Sequence, residues 1–245
     1  MRRLLVIGYQ PYKWLIYLPF LIISTGIFSI LAILLATLIN QKIGSRIGGA
    51  LWARLNGSLI PLFVKVIGRE NIGKNQSYVI VANHQSLVDV LVLYGWLGID
   101  FRWVLKQELR KIPGLGLGCE KVGHIYIDRS DHQKAIASIN AAKSKIVNGT
   151  SVVFFPEGTR RASGKPMEFK KGAFVFAIET GVPLLPVTIV NTGHILPPHT
   201  VNLLPGSVKL IIHKKIDVTG YTTQNLDALM SQARNAILAG LGEVP

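Results

Sequence analysis

The sequence predicts an α/β fold, a mixed and largely parallel sheet flanked by helices, preceded by an N-terminal membrane-associated helical segment. Two observations carry this expectation. From residue 78 onward, strand-like apolar runs alternate with helix-like stretches, the pattern of a layered α/β sheet. Ahead of them, residues 14–39 form a run of 26 without a charge. The composition turns polar between Gly68 and Ser77, so we divide the 245 residues there. Membrane-anchoring helices occupy 1–68 and an α/β domain occupies 69–245.

As an ideal helix the uncharged run extends about 39 Å, enough to span a bilayer with tilt. It exceeds the apolar region of a signal peptide, and no small-x-small cleavage pattern follows it. Pro19 and Gly26 interrupt it, which leaves straight, bent and re-entrant helices open. Next, Ile47, Leu51, Leu55 and Leu59 recur every fourth residue, with Trp52 beside them and Arg46, Arg54 and Lys65 nearby. Such a helix either lies in a membrane interface or packs on its own domain. Charge favours lipid as the partner: the chain carries +14, and residues 1–76 hold nine lysines and arginines against one glutamate. Nucleic acid fits poorly, because aromatics do not interleave with the basic runs.

Strands are expected at 78–82, 102–105, 124–127, 151–155, 184–190 and 208–212, each a short apolar run bounded by turn residues. Ile136, Ile139, Ala142 and Ile146 share one helical face, and Leu226, Leu229, Met230, Ala233 and Ile237 share another. Gly114, Gly116 and Gly118 follow Ile112-Pro113 and not a strand, so they make no dinucleotide-binding fingerprint. Cys119 is the only cysteine, which excludes an intrachain disulfide and a cysteine-based metal framework. Neither a His-Glu-x-x-His pattern nor a carboxylate cluster is present, so no metal is expected.

Asn83-His84-Gln85-Ser86-Leu87-Val88-Asp89 directly follows the first of these strands. Positions five apart lie roughly 140° from one another on a helix, so His84 and Asp89 meet only if His84 sits ahead of the helix and Asp89 in its first turns. An imidazole held by a carboxylate can take a proton from an alcohol near pH 7. The same residues also read as a capping box, with Ser86 at the N-cap and Asp89 reaching back from N3. A second block, Phe155-Pro156-Glu157-Gly158-Thr159-Arg160-Arg161, ends an apolar strand. It offers a guanidinium fork for phosphate, with Lys170 and Lys171 as point charges, or it is a Pro-Glu-Gly turn with a solvated basic loop. Between them, Lys106-Gln107-Glu108-Leu109 and Ile127-Asp128-Arg129 add Lys106 and Arg129 as candidate anion ligands.

These blocks, in this order, resemble the glycerolipid acyltransferase family, and within it the bacterial 1-acyl-glycerol-3-phosphate acyltransferases. The likeness runs over about 78–216. It rests on Asn-His-x-Ser-x-x-Asp at 83–89, Lys-x-Glu-Leu at 106–109, Ile-Asp-Arg at 127–129, Phe-Pro-Glu-Gly-Thr-Arg at 155–160 and Val-Pro-x-x-Pro-Val at 182–187. Arg161 departs from the serine common there. The resemblance implies His84 as general base and Asp89 as its orienting partner. It also implies Lys106, Arg129, Glu157, Gly158, Thr159 and Arg160 around a glycerol-phosphate acceptor.

On that reading a fatty acyl group passes from an acyl-ACP or acyl-CoA thioester to the 2-hydroxyl of lysophosphatidic acid, giving phosphatidic acid without a cofactor. The catalytic domain is expected on the cytoplasmic face of the cell inner membrane. No Gly-x-Ser-x-Gly elbow exists, and Cys119 stands outside any nucleophile motif, which favours direct transfer over an acyl-enzyme. The backbone N–H groups near Gln85 and Ser86 are the candidates for an oxyanion site. Two alternatives stand beside this reading: a same-fold enzyme for glycerol 3-phosphate or another lysophospholipid, and a non-enzymatic membrane protein that binds anionic lipid or nucleic acid.

Overall fold

The computed structural model describes residues 2–128, 138, 143, 146, 149–160 and 168–242. The N-terminal run is helical throughout: α1 (Arg2–Tyr12), a π-helical turn (Lys13–Tyr17) and α2 (Leu18–Leu38) follow one another directly. Neither Pro19 nor Gly26 breaks it. A proline ring crowds the carbonyl four residues back, and the wider turn over Lys13–Tyr17 contains that position, Leu15. A second helical stretch follows, made of α3 (Gln41–Gly44), a π-helical turn (Ser45–Leu51) and α4 (Trp52–Leu59). Asn40 caps it by accepting from the Ile43 N–H at 2.9 Å.

This second stretch packs on its own domain through one face and leaves part of the other exposed. Its packing face is small: Gly44 and Gly48 lie against Ala32 and Ala36 of α2, and a Cβ at Gly49 would fall 2.1 Å from the Tyr94 ring. Of the stripe, Leu51 and Leu55 are exposed, whereas Leu59 packs against the core.

A seven-stranded sheet then forms from β1 (Leu62–Ile67), β2 (Val79–Ala82), β3 (Phe101–Lys106), β4 (Ile125–Ile127), β5 (Ser151–Phe154), β6 (Leu184–Val190) and β7 (Gly206–Ile212). Its order is β1-β7-β6-β2-β5-β3-β4, and every neighbouring pair is parallel except β6 with β7. The sheet therefore begins before residue 68. Residues 62–67, which the sequence reading leaves with the anchoring helices, pair with β7 as an edge strand whose burial alternates.

The central strands β2, β5 and β6 are buried at every position, which is why they read as unbroken apolar runs. Side chains of β2 and of Tyr78 just before it alternate between two cores. Tyr78, Ile80 and Ala82 join the layer that holds α4 and α5 (Val88–Trp96). Val79 and Val81 face α7 (Gly172–Thr180) and α9 (Leu226–Gly242). The last helix buries Leu226, Leu229, Ala233 and Ile237 as expected, with Met230 only partly covered. Of the helical face expected at Ile136–Ile146, only Ile146 is described, and it is buried; the remainder lies outside the described residues.

Candidate active site

Because β2, β3, β5 and β6 run parallel, their C-terminal ends meet at one edge of the sheet. Each delivers polar chemistry there. His84 follows β2, Lys106 ends β3, Glu157 follows β5, and Thr192 follows β6 at the start of α8 (Thr192–Ile195). Strand ends of this kind are where open α/β sheets take their ligands.

Asp89, in the first turn of α5, is completely buried. Its Oδ2 accepts from His84 Nδ1 at 2.8 Å and from the N–H groups of Gln85 and Ser86 at 2.7 and 2.8 Å, while Oδ1 accepts from the Thr192 hydroxyl. Four donors fill the acceptor positions of a carboxylate. Nδ1 of His84 therefore carries the proton, and Nε2 is the basic nitrogen of the neutral ring.

The ring's plane is set by Phe155, stacked on it at a centroid distance of 3.8 Å and 10°, with Trp103 stacked behind at 5.9 Å. The His84 N–H donates to Glu157 Oε1 at 2.9 Å, which joins the two sequence blocks. Asn83 ties the loop to β6, donating to the Ile189 carbonyl and accepting from its N–H, both at 2.8 Å.

The capping contacts and the histidine contact share one carboxylate. Ser86 Oγ accepts from the Val88 N–H at 3.1 Å and donates to the Leu196 carbonyl at 2.8 Å, and Asp89 reaches back to Ser86 as a capping box requires. The oxygen that caps also holds the histidine. One expectation is corrected here: the N–H groups of Gln85 and Ser86 are consumed by Asp89 Oδ2, so they are not free to receive a substrate oxyanion.

His84 lines a cavity of about 430 Å³ together with Lys106 and Arg160. Its walls are largely apolar and include Leu87, Val90, Trp103 and Phe155. Part of the wall comes from the membrane-length helix itself, through Thr25, Phe28, Ser29 and Ala32. Lys106 pairs with Glu108 at 2.9 Å, and this bond holds the Glu108 carboxyl below its ordinary range. Arg160 is half-buried and Thr159 exposed, whereas Glu157 is buried. Gly158 has φ 72°, a left-handed conformation, and a Cβ there would meet the Lys170 side chain at 2.9 Å. Arg129 lies outside the described residues. Cys119 also lines the cavity, but burial pushes its thiol up to about 11, so it is a poor nucleophile near neutrality.

The model of the acyltransferase family matches residues 63–190, more than half of the chain. The chain belongs to the acyltransferase family. It is 35% identical over 194 residues to a 1-acyl-sn-glycerol-3-phosphate acyltransferase of Chlamydomonas reinhardtii, covering 78% of this chain and 56% of that one. It is 31% identical over 176 residues to the 1-acyl-sn-glycerol-3-phosphate acyltransferase of Borreliella burgdorferi, covering 72% and 70%. The crystal structure of the 1-acyl-sn-glycerophosphate acyltransferase PlsC from Thermotoga maritima matches with a TM-score of 0.80 at 28% identity, over 100% of this chain and 98% of that one. The chain spans about half the length of the algal and plant relatives it matches.

Within this acyltransferase fold, sequence reasoning missed Thr192, the stacking role of Phe155 and the contribution of α2 to the cavity. Asn191-Thr192-Gly193 closing a seven-residue buried strand is the one local signal for Thr192.

Proposed function

We propose that the chain transfers an acyl group from an acyl thioester to the 2-hydroxyl of 1-acyl-glycerol 3-phosphate, producing phosphatidic acid. The observation that carries this reading is a histidine whose Nδ1 is fixed by a buried carboxylate at an apolar cavity that also receives two cations. The relatives' activity supports the acceptor class.

In the reaction, His84 Nε2 takes the proton of the 2-hydroxyl as its oxygen attacks the thioester carbonyl. The carbon–sulfur bond of the tetrahedral species then breaks, and the imidazolium returns the proton to the leaving thiolate. Asp89 stabilises the imidazolium and keeps the tautomer correct. Arg160 and Lys106 bind the acceptor phosphate, Arg160 as a planar fork and Lys106 as a point charge. Holding the hydroxyl at the base lowers the barrier through orientation as well as proton transfer.

The helix over Ile7–Leu38 is long and apolar enough to cross a membrane. With the excess positive charge it supports attachment to the inner membrane, and a cytosolic thioester donor requires the sheet domain on the cytoplasmic face. The test is acyl transfer by the purified full chain, with lysophosphatidic acid and either acyl-ACP or acyl-CoA. Phosphatidic acid should form with at least one donor. Product formed only from glycerol 3-phosphate would reassign the acceptor, and no product from either donor with folded protein would end the reading.

A further inference from the structure

One wall of the cavity is a hairpin built from a 3-10 turn (Gln107–Lys111) and α6 (Leu115–Lys121), which contributes Leu109, Leu115, Gly118 and Cys119 to the lining. Its outer side mixes charged residues with the exposed apolar side chains Ile112 and Leu117. Residues 106–114 are all exposed, with Ile112 at 43%, and Leu117 follows at 50%. Single exposed apolar side chains are ordinary on protein surfaces. These are not isolated, because α6 lies directly on α2. Ser29 is the nearest neighbour of both Gly114 and Gly118, and on the same helix Ile22, Ile27 and Ile30 are more than half exposed. The hairpin thus places exposed Ile112 and Leu117 on an element packed against the membrane-length helix.

Charge on the hairpin selects the occupant. Lys106 and Arg110 are neutralised by Glu108 and Glu120, whereas Lys111 and Lys121 have no ion-pair partner among the described residues. Apolar side chains flanked by uncompensated lysines are complementary to an anionic lipid leaflet.

We propose that the outer face of this hairpin, Ile112 and Leu117 with Lys111 and Lys121 beside them, inserts into an anionic leaflet as a second membrane contact next to α2. It thereby holds the cavity that the hairpin lines at the leaflet surface. The proposal rests on the membrane attachment argued above. It gives the region 107–121 a role outside the anchoring segment: an acceptor held in the bilayer reaches His84 without leaving lipid.

The experiment places an environment-sensitive fluorophore on Ile112→Cys in a Cys119→Ala background. The full chain is then bound to equimolar phosphatidylglycerol and phosphatidylcholine vesicles carrying bromine on the upper acyl carbons. Quenching of the probe by the brominated lipid is the expected result. In parallel, Ile112→Asp/Leu117→Asp should slow acylation of vesicle-embedded lysophosphatidic acid about tenfold while leaving the rate on micellar acceptor unchanged. A vesicle-bound chain whose probe responds only to aqueous iodide overturns the proposal alone. A wild-type chain that does not sediment with the vesicles overturns both it and the membrane reading. Fluorescence needs no turnover, so a chain inactive on lysophosphatidic acid counts against the acyltransfer reading and leaves the insertion result standing.

Discussion

The two ends of the candidate site are built to different tolerances. At the His84 end, Asp89 is fully buried with four donors on it, the imidazole is stacked on Phe155, and Asn83 pins the loop to β6 through two bonds. At the cation end, Lys106 is more than half exposed and is held by one surface pair, and Arg160 is half-buried. Proton transfer depends on heavy-atom distances near 3 Å and fails when the base is misplaced. Phosphate is a larger target, and long cationic side chains can follow it. On the proposed mechanism, the tighter end is the one where proton transfer demands it.

The strongest way to break this contrast is to disturb the rigid end. His84→Ala and Asp89→Asn should each lower turnover by about two to four orders of magnitude with the fold intact, the second by removing the negative charge that stabilises the imidazolium. Steady-state rates on variants shown folded by circular dichroism check this. Half of wild-type turnover in either would overturn the assignment of His84 and Asp89 as a working pair.

Deleting residues 1–39 comes next in size. Because α2 supplies part of the cavity wall, turnover should fall about tenfold or more even on detergent-dispersed acceptor, and further on vesicles. A loss confined to vesicles would reduce α2 to an anchor.

Thr192→Val and Arg160→Ala then separate the two ends by kinetic parameter. Removing the Thr192 hydroxyl from a buried carboxylate should lower kcat by about tenfold with little change in the acceptor KM. Arg160→Ala should raise the acceptor KM by about tenfold and leave the thioester KM alone, with Arg160→Lys rescuing only in part. An interchange of these signatures would reverse the assignment of the two regions.

The smallest effect concerns Cys119. A thiol raised to about 11 by burial is almost wholly protonated at pH 8, where an ordinary thiol is about a quarter thiolate. Alkylation by iodoacetamide should therefore be slow at pH 8, accelerate as pH rises toward 11, and become fast on unfolding. Fast alkylation of the folded chain with loss of activity would reopen covalent catalysis.

Much of this was legible in the chain alone. The buried strands declared themselves as unbroken apolar runs because parallel strands are covered on both faces. His84 and Asp89 were readable because a five-residue offset across a strand-to-helix junction is a local constraint. The membrane-length helix was readable because a bilayer sets its length. Local patterns could not decide which strand ends share an edge. β2 and β5 lie side by side although 68 residues separate Ala82 from Ser151, and that pairing brings Glu157 to the His84 backbone. Thr192 reaches Asp89 only because β6 flanks β2 on its other side. Nor could composition show that α2 forms a cavity wall, since an uncharged helix reads the same whether it faces lipid or a substrate. Chain-local rules specify which groups exist and how each element folds, whereas non-local strand order decides which groups meet.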